Sequence, residues 1–368
     1  MGGIEATQQL LKLGFYVIGE VFSRAVLVQS PTQSRMRVGG SGMHMTARAT
    51  RRSVLALPSL IAANVAHAQA GWPERPVRLL VGYPPGGPTD FIGRLAATGL
   101  QAAWKQTVVV DNRAGASSSV AAEAVSRAAP DGLTLFFASN ALVLNAAIHP
   151  SLPYAVPDSF APVGTFCTAP NLFWCAADRP WRDLTAVTAE ARASPGSLAY
   201  GTTGVGGTGH FGGETLCRAL GISLTHVPYR GTAPLMQDVI GGRVPLLAHG
   251  MAGAVGPYQA GQIRPLAVLG LKRAPELPEV PTMAELGHPV PDSGLWFGIM
   301  APAGTPPALI ARMAHDLEAL TGSADIRVKL ATQAAVPDFT GPDEFAAHIR
   351  LELTTWQEIA QTVGIKPE

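Results

Sequence analysis

Charge is sparse in this chain. Only 14% of its 368 residues are Asp, Glu, Lys or Arg, and the formal net charge is +1. Residues 71–368 carry 20 Lys/Arg against 24 Asp/Glu, a mildly acidic body without the basic footprint of a nucleic-acid binder. Cysteine is also scarce. Cys167, Cys175 and Cys217 are too few for a disulfide-dense scaffold, and no C-x-x-C pair suggests a zinc or redox site. The histidines lack metal-ligand spacing, no H-E-x-x-H occurs, and no G-x-S-x-G marks a hydrolase nucleophile. No metal, cofactor or catalytic residue is therefore expected. Outside the N-terminal region no run of about 20 apolar residues could cross a membrane.

What is present is apolar bulk and punctuation: 47% hydrophobic residues, 40 Gly and 31 Pro. A chain of this length can bury a sizeable core and is expected to form two domains. Residues 1–70 carry seven Lys/Arg against two Asp/Glu. Within them, 45–70 have the three-part layout of a secretory signal. Arg48, Arg51 and Arg52 are followed by a mostly apolar run from Val54 to Val65, then by A-x-A steps at Ala66–Ala68 and Ala68–Ala70. Arg51-Arg52 reads as a twin-arginine export signal or as an ordinary basic segment. Residues 1–44 precede this signal and are expected to be a non-native extension, with translation starting at Met43 or Met45. The alternative is an amphipathic helix near residues 7–28. The mature chain would begin at Gln69 or Gly71, in the periplasm.

From residue 76 onward strand and helix signals alternate. Strands are expected at 77–83, 107–110, 134–139, 173–177, 198–202, 225–229, 245–249, 263–269 and 296–300. Helices are expected at 88–104, 117–129, 183–193, 209–220, 233–240, 252–260, 307–320, 324–333 and 342–363. Such alternation predicts α/β lobes with mostly parallel sheets flanked by helices. Residues 71–177 and 268–368 are assigned to the first lobe and 178–267 to the second. Crossings near 173–180 and 263–270 would form a hinge over a cleft.

Two loops invite chemistry. Tyr83-Pro84-Pro85-Gly86-Gly87-Pro88-Thr89-Asp90 leaves a strand and opens a helix. Its free N–H groups and the helix dipole make an anion site that needs no cationic side chain. The other reading is a plain strand-to-helix turn. The second loop, Gly201-Thr202-Thr203-Gly204-Val205-Gly206-Gly207-Thr208-Gly209-His210, has the same setting. It contains Gly204-x-Gly206-x-x-Gly209, formally a dinucleotide fingerprint, but no acidic residue ends the next strand to hold a ribose. Arg230 would suit a 2′-phosphate, which keeps an NADP-dependent oxidoreductase as the alternative. Two facing cradles fit a small acid better. Asn140, Tyr229 and His249 end neighbouring strands and either line the cleft or are turn residues. His210 reads as a helix-start structural residue. Asp90 would repel an anion unless turned away, water-bridged or paired with a ligand ammonium, the last favouring an amino acid such as aspartate. Cys167 and Cys175, on consecutive expected strands, read as free buried thiols or, in an oxidising compartment, as a pair.

These residues resemble a known family. Trp72-Pro73-x-Arg75-Pro76-Val77-Arg78, Pro85-Gly86-Gly87-x-Thr89-Asp90, Val110-Asp111-Asn112-Arg113-x-Gly115-Ala116 and Pro130-Asp131-Gly132-x-Thr134-Leu135 occur in order, followed by His226–Gly231 and Gly241–Val244. The series is similar to solute-binding proteins of the tripartite tricarboxylate transporter system, the Bug-type family. The resemblance implies a two-lobed periplasmic binding protein of type II, a "Venus flytrap". It would close on a mono-, di- or tricarboxylate or an acidic amino acid, act as a monomer, and deliver its ligand to a membrane permease. It also implies carboxylate binding by backbone amides of the loops at Pro85–Asp90 and Gly201–His210. A sensor module delivering ligand to a receptor is a further alternative. The chain departs from the family pattern at Gly82-Tyr83-Pro84, Thr208-Gly209 and Arg230, which bears on which acid is bound.

Overall fold

The structure is a computed structural model, and it describes residues 71–365; the expected extension and export signal lie outside the described residues. β1 (Val77–Val81) reads VRLLV, with four of its five residues buried. Such a run suits a strand covered on both faces. α1 (Pro88–Trp104) begins with Pro at its first position and stops at Lys105 in the left-handed region. Ile92, Leu95, Ala96 and Leu100 form its buried stripe, as the spacing predicts. β2 (Val108–Asn112), α2 (Ser119–Ser126), β3 (Thr134–Ser139), α3 (Ala141–Ile148) and β4 (Phe160–Ala169) follow.

One residue, Pro170, separates β4 from β5 (Asn171–Ala176), which belongs to a second sheet. That sheet is built with α4 (Leu184–Ala193), β6 (Ala199–Thr202), α5 (Thr208–Leu220), β7 (Thr225–Pro228), α6 (Thr232–Ile240), β8 (Leu246–Gly250), α7 (Met251–Gln259) and β9 (Ile263–Val268). The chain then returns through β10 (Leu295–Pro302), α8 (Pro307–Thr321), α9 (Ala324–Ala331), β11 (Val336–Pro337) and α10 (Pro342–Val363).

The first sheet has strand order β11-β4-β10-β3-β1-β2 and the second β7-β6-β8-β5-β9. Both sheets are mixed. β1 is parallel to β2 and β3, and β6 to β7 and β8, but every pairing of β4, β5, β9, β10 and β11 is antiparallel. The strands that join the lobes account for most of this departure from the expected parallel arrangement. Each sheet separates two apolar clusters. Leu79 and Leu80 lie in opposite clusters of the first, and Phe173 and Trp174 in opposite clusters of the second.

The lobe boundaries expected from sequence need correction. β5 pairs with β8 and β9 inside the second sheet, so the outward crossing is at Pro170 rather than near 173–180. The return comes after residue 292, because Leu269, Leu277, Val280 and Met283 all pack on second-lobe clusters. The two crossings are tied together: Asn171 Nδ2 donates to Ser293 Oγ at 3.0 Å, and Ser293 Oγ donates to Leu269 O at 2.8 Å. The expected helix at 117–129 is shorter. Gly115 to Ser118 form a left-handed turn before α2 begins, and Ser118 lies so close to Gly82 that a Cβ there would collide with its hydroxyl. α3 was not anticipated, and the strand expected to hold Cys167, β4, was given no bounds. α3 (ALVLNAAI) is almost wholly apolar and buried, so it shows no amphipathic period. β4 is broken by Pro162 and Gly164 and pairs with β10 through two register shifts.

Candidate functional site

The two loops singled out by sequence are built alike. Gly86 and Gly206 are left-handed, at φ 84 and 70, which a side chain would disfavour. Gly87 and Gly207 then cap α1 and α5 in extended conformation, without any capping side chain. The residue four places after each left-handed glycine reaches back to its amide. Gly86 N–H donates to Asp90 Oδ2 at 2.9 Å, and Gly206 N–H donates to the His210 Nδ1 at 3.2 Å. The first intrahelical bonds also correspond, Phe91 N–H to Gly87 O and Phe211 N–H to Gly207 O. Gly-Gly-Pro-Thr-Asp-Phe and Gly-Gly-Thr-Gly-His-Phe are thus two versions of one device. The amides of the first helical turn have no intrahelical acceptor.

Two further helices aim at the same space. α6 is capped by Gly231 and α7 by Gly250, again without a capping side chain. The second residues of all four helices, Thr89, Gly209, Ala233 and Ala252, line one interlobe cleft of about 640 Å³. Tyr83, Pro84, Phe91, Pro234 and Leu295 supply apolar wall, and Arg230 is its one charged side chain among the described residues. Among the described residues no acidic side chain lines it. Four positive helix ends facing a space without carboxylates make an anion-attracting cavity.

Of the residues expected from sequence, Pro85, Gly86, Gly87, Thr89, Thr208 and His249 line this cleft. Gly204 and Tyr229 line an adjoining chamber of about 730 Å³, which shares Tyr83, Pro84, Thr203, Arg230 and Gly231 with the cleft. Asp90, Asn140, Thr202, Gly206 and His210 stand behind the surface. Asp90 accepts from Gly86, from Arg94 Nε at 2.9 Å and from Asn112 Nδ2 at 2.9 Å. Burial opposes ionisation, but these bonds prevail and hold its carboxyl below the ordinary range. Its charge is therefore turned into the loop. Asn140 joins the lobes, accepting from Thr208 Oγ1 at 3.1 Å and donating to Gly294 O at 2.8 Å. Thr202 Oγ1 bonds His226 Nε2 at 2.7 Å.

The histidines serve as neutral parts. Burial, reinforced by the neighbouring His226, lowers His210 to about 3, and burial lowers His226 to about 4. The two rings stack at 3.9 Å. Burial likewise lowers His249. Its Nδ1 donates to Gly250 O at 2.7 Å and its Nε2 accepts from Thr232 Oγ1 at 3.1 Å. Among the described residues no group of three His, Cys, Asp or Glu could hold a metal ion, and the three cysteines are buried and free. The α6 and α7 ends carry a signal sequence reasoning underused: a glycine directly after a strand and before a helix, at Gly231 and Gly250.

Two sheets joined by crossing strands, with helix ends converging between them, define a two-lobed α/β solute receptor. The model of the tripartite tricarboxylate transporter family receptor matches residues 92–365, and the chain belongs to that family of periplasmic solute-binding proteins. Protein BugT of Bordetella pertussis is 34% identical over 298 residues, covering 80% of this chain and 91% of its own length. The structure of R. palustris Rpa4515 with adipate is 34% identical with a TM-score of 0.77, covering 81% of this chain and all of that one. MatC from Rhodopseudomonas palustris with bound malate is 28% identical with a TM-score of 0.72, covering 78% and 99%.

Proposed function

We propose that the protein captures a small organic carboxylate between its lobes in the periplasm and delivers it, as a single chain, to a tripartite tricarboxylate-type permease. The observation that carries this reading is the convergence of four glycine-capped helix ends on a cleft without acidic side chains. Related receptors with adipate and malate support it. In this reading one carboxylate docks on the Pro85–Asp90 loop, and closure brings up the Gly204–His210 loop. The ligand must favour the shut form, by about 1.4 kcal/mol for each tenfold population shift. Export through residues 45–70 puts the receptor where the permease can meet it. The oxidoreductase alternative has little to stand on here: Gly206 N–H is taken by His210, and His249, which lines the cleft, is held in a neutral hydrogen-bonded role.

Thermal unfolding of the purified protein with a carboxylate panel and with NADP tests the reading. Binding at 100 times Kd stabilises a fold by about 2.7 kcal/mol. A carboxylate should raise the melting temperature, and the gain should shrink at least tenfold in apparent affinity in G86V or G206V. A response to NADP alone would overturn the proposal. Loss of uptake on gene deletion separates transport from sensing.

A further inference from the structure

Arg230 is the only charged side chain lining either the 640 Å³ cleft or its adjoining chamber among the described residues, and it lines both. It is exposed, and its side chain makes no hydrogen bond or ion pair there. Several other charges of the two lobes are already matched. Arg94 pairs with Asp90, Arg78 and Arg113 with Asp111, and Arg243 with Asp238. Asp238 also accepts from the hydroxyl of Tyr229, the residue next to Arg230, at 2.8 Å. Thus the acid held by Arg230's own neighbour is occupied, while the guanidinium is left to the space where the chambers meet.

The helix ends and Arg230 are different kinds of anion holder. The first are fixed amides within the 640 Å³ cleft; the second is a flexible, five-donor cation at its junction with the 730 Å³ chamber. An ammonium group finds no carboxylate in either chamber, and Asp90, which sequence offered as its partner, has both oxygens engaged.

We propose that Arg230 is the specificity-determining side chain of this receptor, taking the second anionic group of an elongated acid whose first carboxylate sits on the helix ends and which carries no ammonium. This inference rests on the carboxylate reading above. It selects straight-chain dianions over fatty monoacids of equal length and over α-amino diacids.

Titration calorimetry of the dialysed full chain with adipate, hexanoate and 2-aminoadipate, at low salt, tests it. Adipate should bind at least about tenfold tighter than each of the others. R230Q should lower adipate affinity at least about tenfold more than hexanoate affinity, and R230K should restore part of that difference. A structural role for Arg230 would weaken both acids together. Equal losses in R230Q, or 2-aminoadipate binding as tightly as adipate, would overturn the inference while leaving the carboxylate reading intact. If no acid of any length binds the wild-type chain, the carboxylate reading itself falls.

Discussion

At the scale of single residues, the site relies on side chains that serve the backbone. Asp90 was legible in the sequence as part of an anion loop, and its negative charge looked like an obstacle. The structure resolves that: its oxygens hold Gly86, Arg94 and Asn112, so it shapes the cradle without facing the cleft. D90A leaves those donors without their acceptor and should cost about 1–3 kcal/mol in urea unfolding, with carboxylate affinity falling as well. His210 plays the same part with a neutral ring. Its ordinary pKa of 6.5 is lowered to about 3, so below pH 6.5 the unfolded chain binds a proton that the folded one refuses. Stability should therefore fall as pH drops from about 7 toward 3. The melting temperature of H210N should show a shallower loss over that range, since the Asn side chain supplies an acceptor that does not titrate.

At the scale of elements, sequence was most informative where a helix has one buried stripe or a strand one apolar run. α1 fell where Pro88 and the spacing of Ile92, Leu95, Ala96 and Leu100 placed it. The same logic was blind to α3, which is buried all round, and to the bounds of β4, whose Pro and Gly interrupt its pattern. It located β5 but could not say which sheet would take it, because a run buried on both faces carries no address. Of the site, the first halves of both cradles were readable as Gly-Gly before a helix. The part played by His210, reaching back to Gly206, was not, because nothing in its neighbourhood distinguishes an acceptor turned inward from one turned outward.

α10 illustrates a different dependence on its surroundings. Glu352 on this helix accepts from the indoles of Trp296 at 2.8 Å and Trp356 at 3.2 Å, pinning the helix to β10. Burial raises its carboxyl to about 7 against the indole bonds. Between pH 4.5 and about 7 the folded state holds a proton the unfolded state has lost, so this group's contribution is full below 4.5 and fades as pH rises to 7. Chemical unfolding of E352Q across that interval should show a flatter pH slope than wild type.

At the scale of the whole molecule, the lobes meet beside a cavity through polar ties and an apolar contact, Phe211 of α5 packing edge-on against Trp356 of α10 with ring centroids 5.0 Å apart. Ser117 Oγ donates to Val205 O at 2.5 Å, and Thr208 to Asn140 at 3.1 Å, each bond running from one lobe to the other. Each such bond contributes about 0.5–1.5 kcal/mol, and opening would have to part the Phe211–Trp356 contact as well.

The glycine caps carry a consequence for occupancy. Among the described residues no capping side chain closes the leading ends of α1, α5, α6 and α7; Met251 N–H already donates to Pro170 O at 2.9 Å, and the second-residue amides of Thr89, Gly209, Ala233 and Ala252 are left for an acceptor from outside the fold. A bound acid would become the missing cap of several helices together. Its arrival should be recorded by slowed amide-hydrogen exchange at Thr89, Gly209, Ala233 and Ala252, four helices of the chain responding as one, while the trailing ends of the same helices exchange at an unaltered pace.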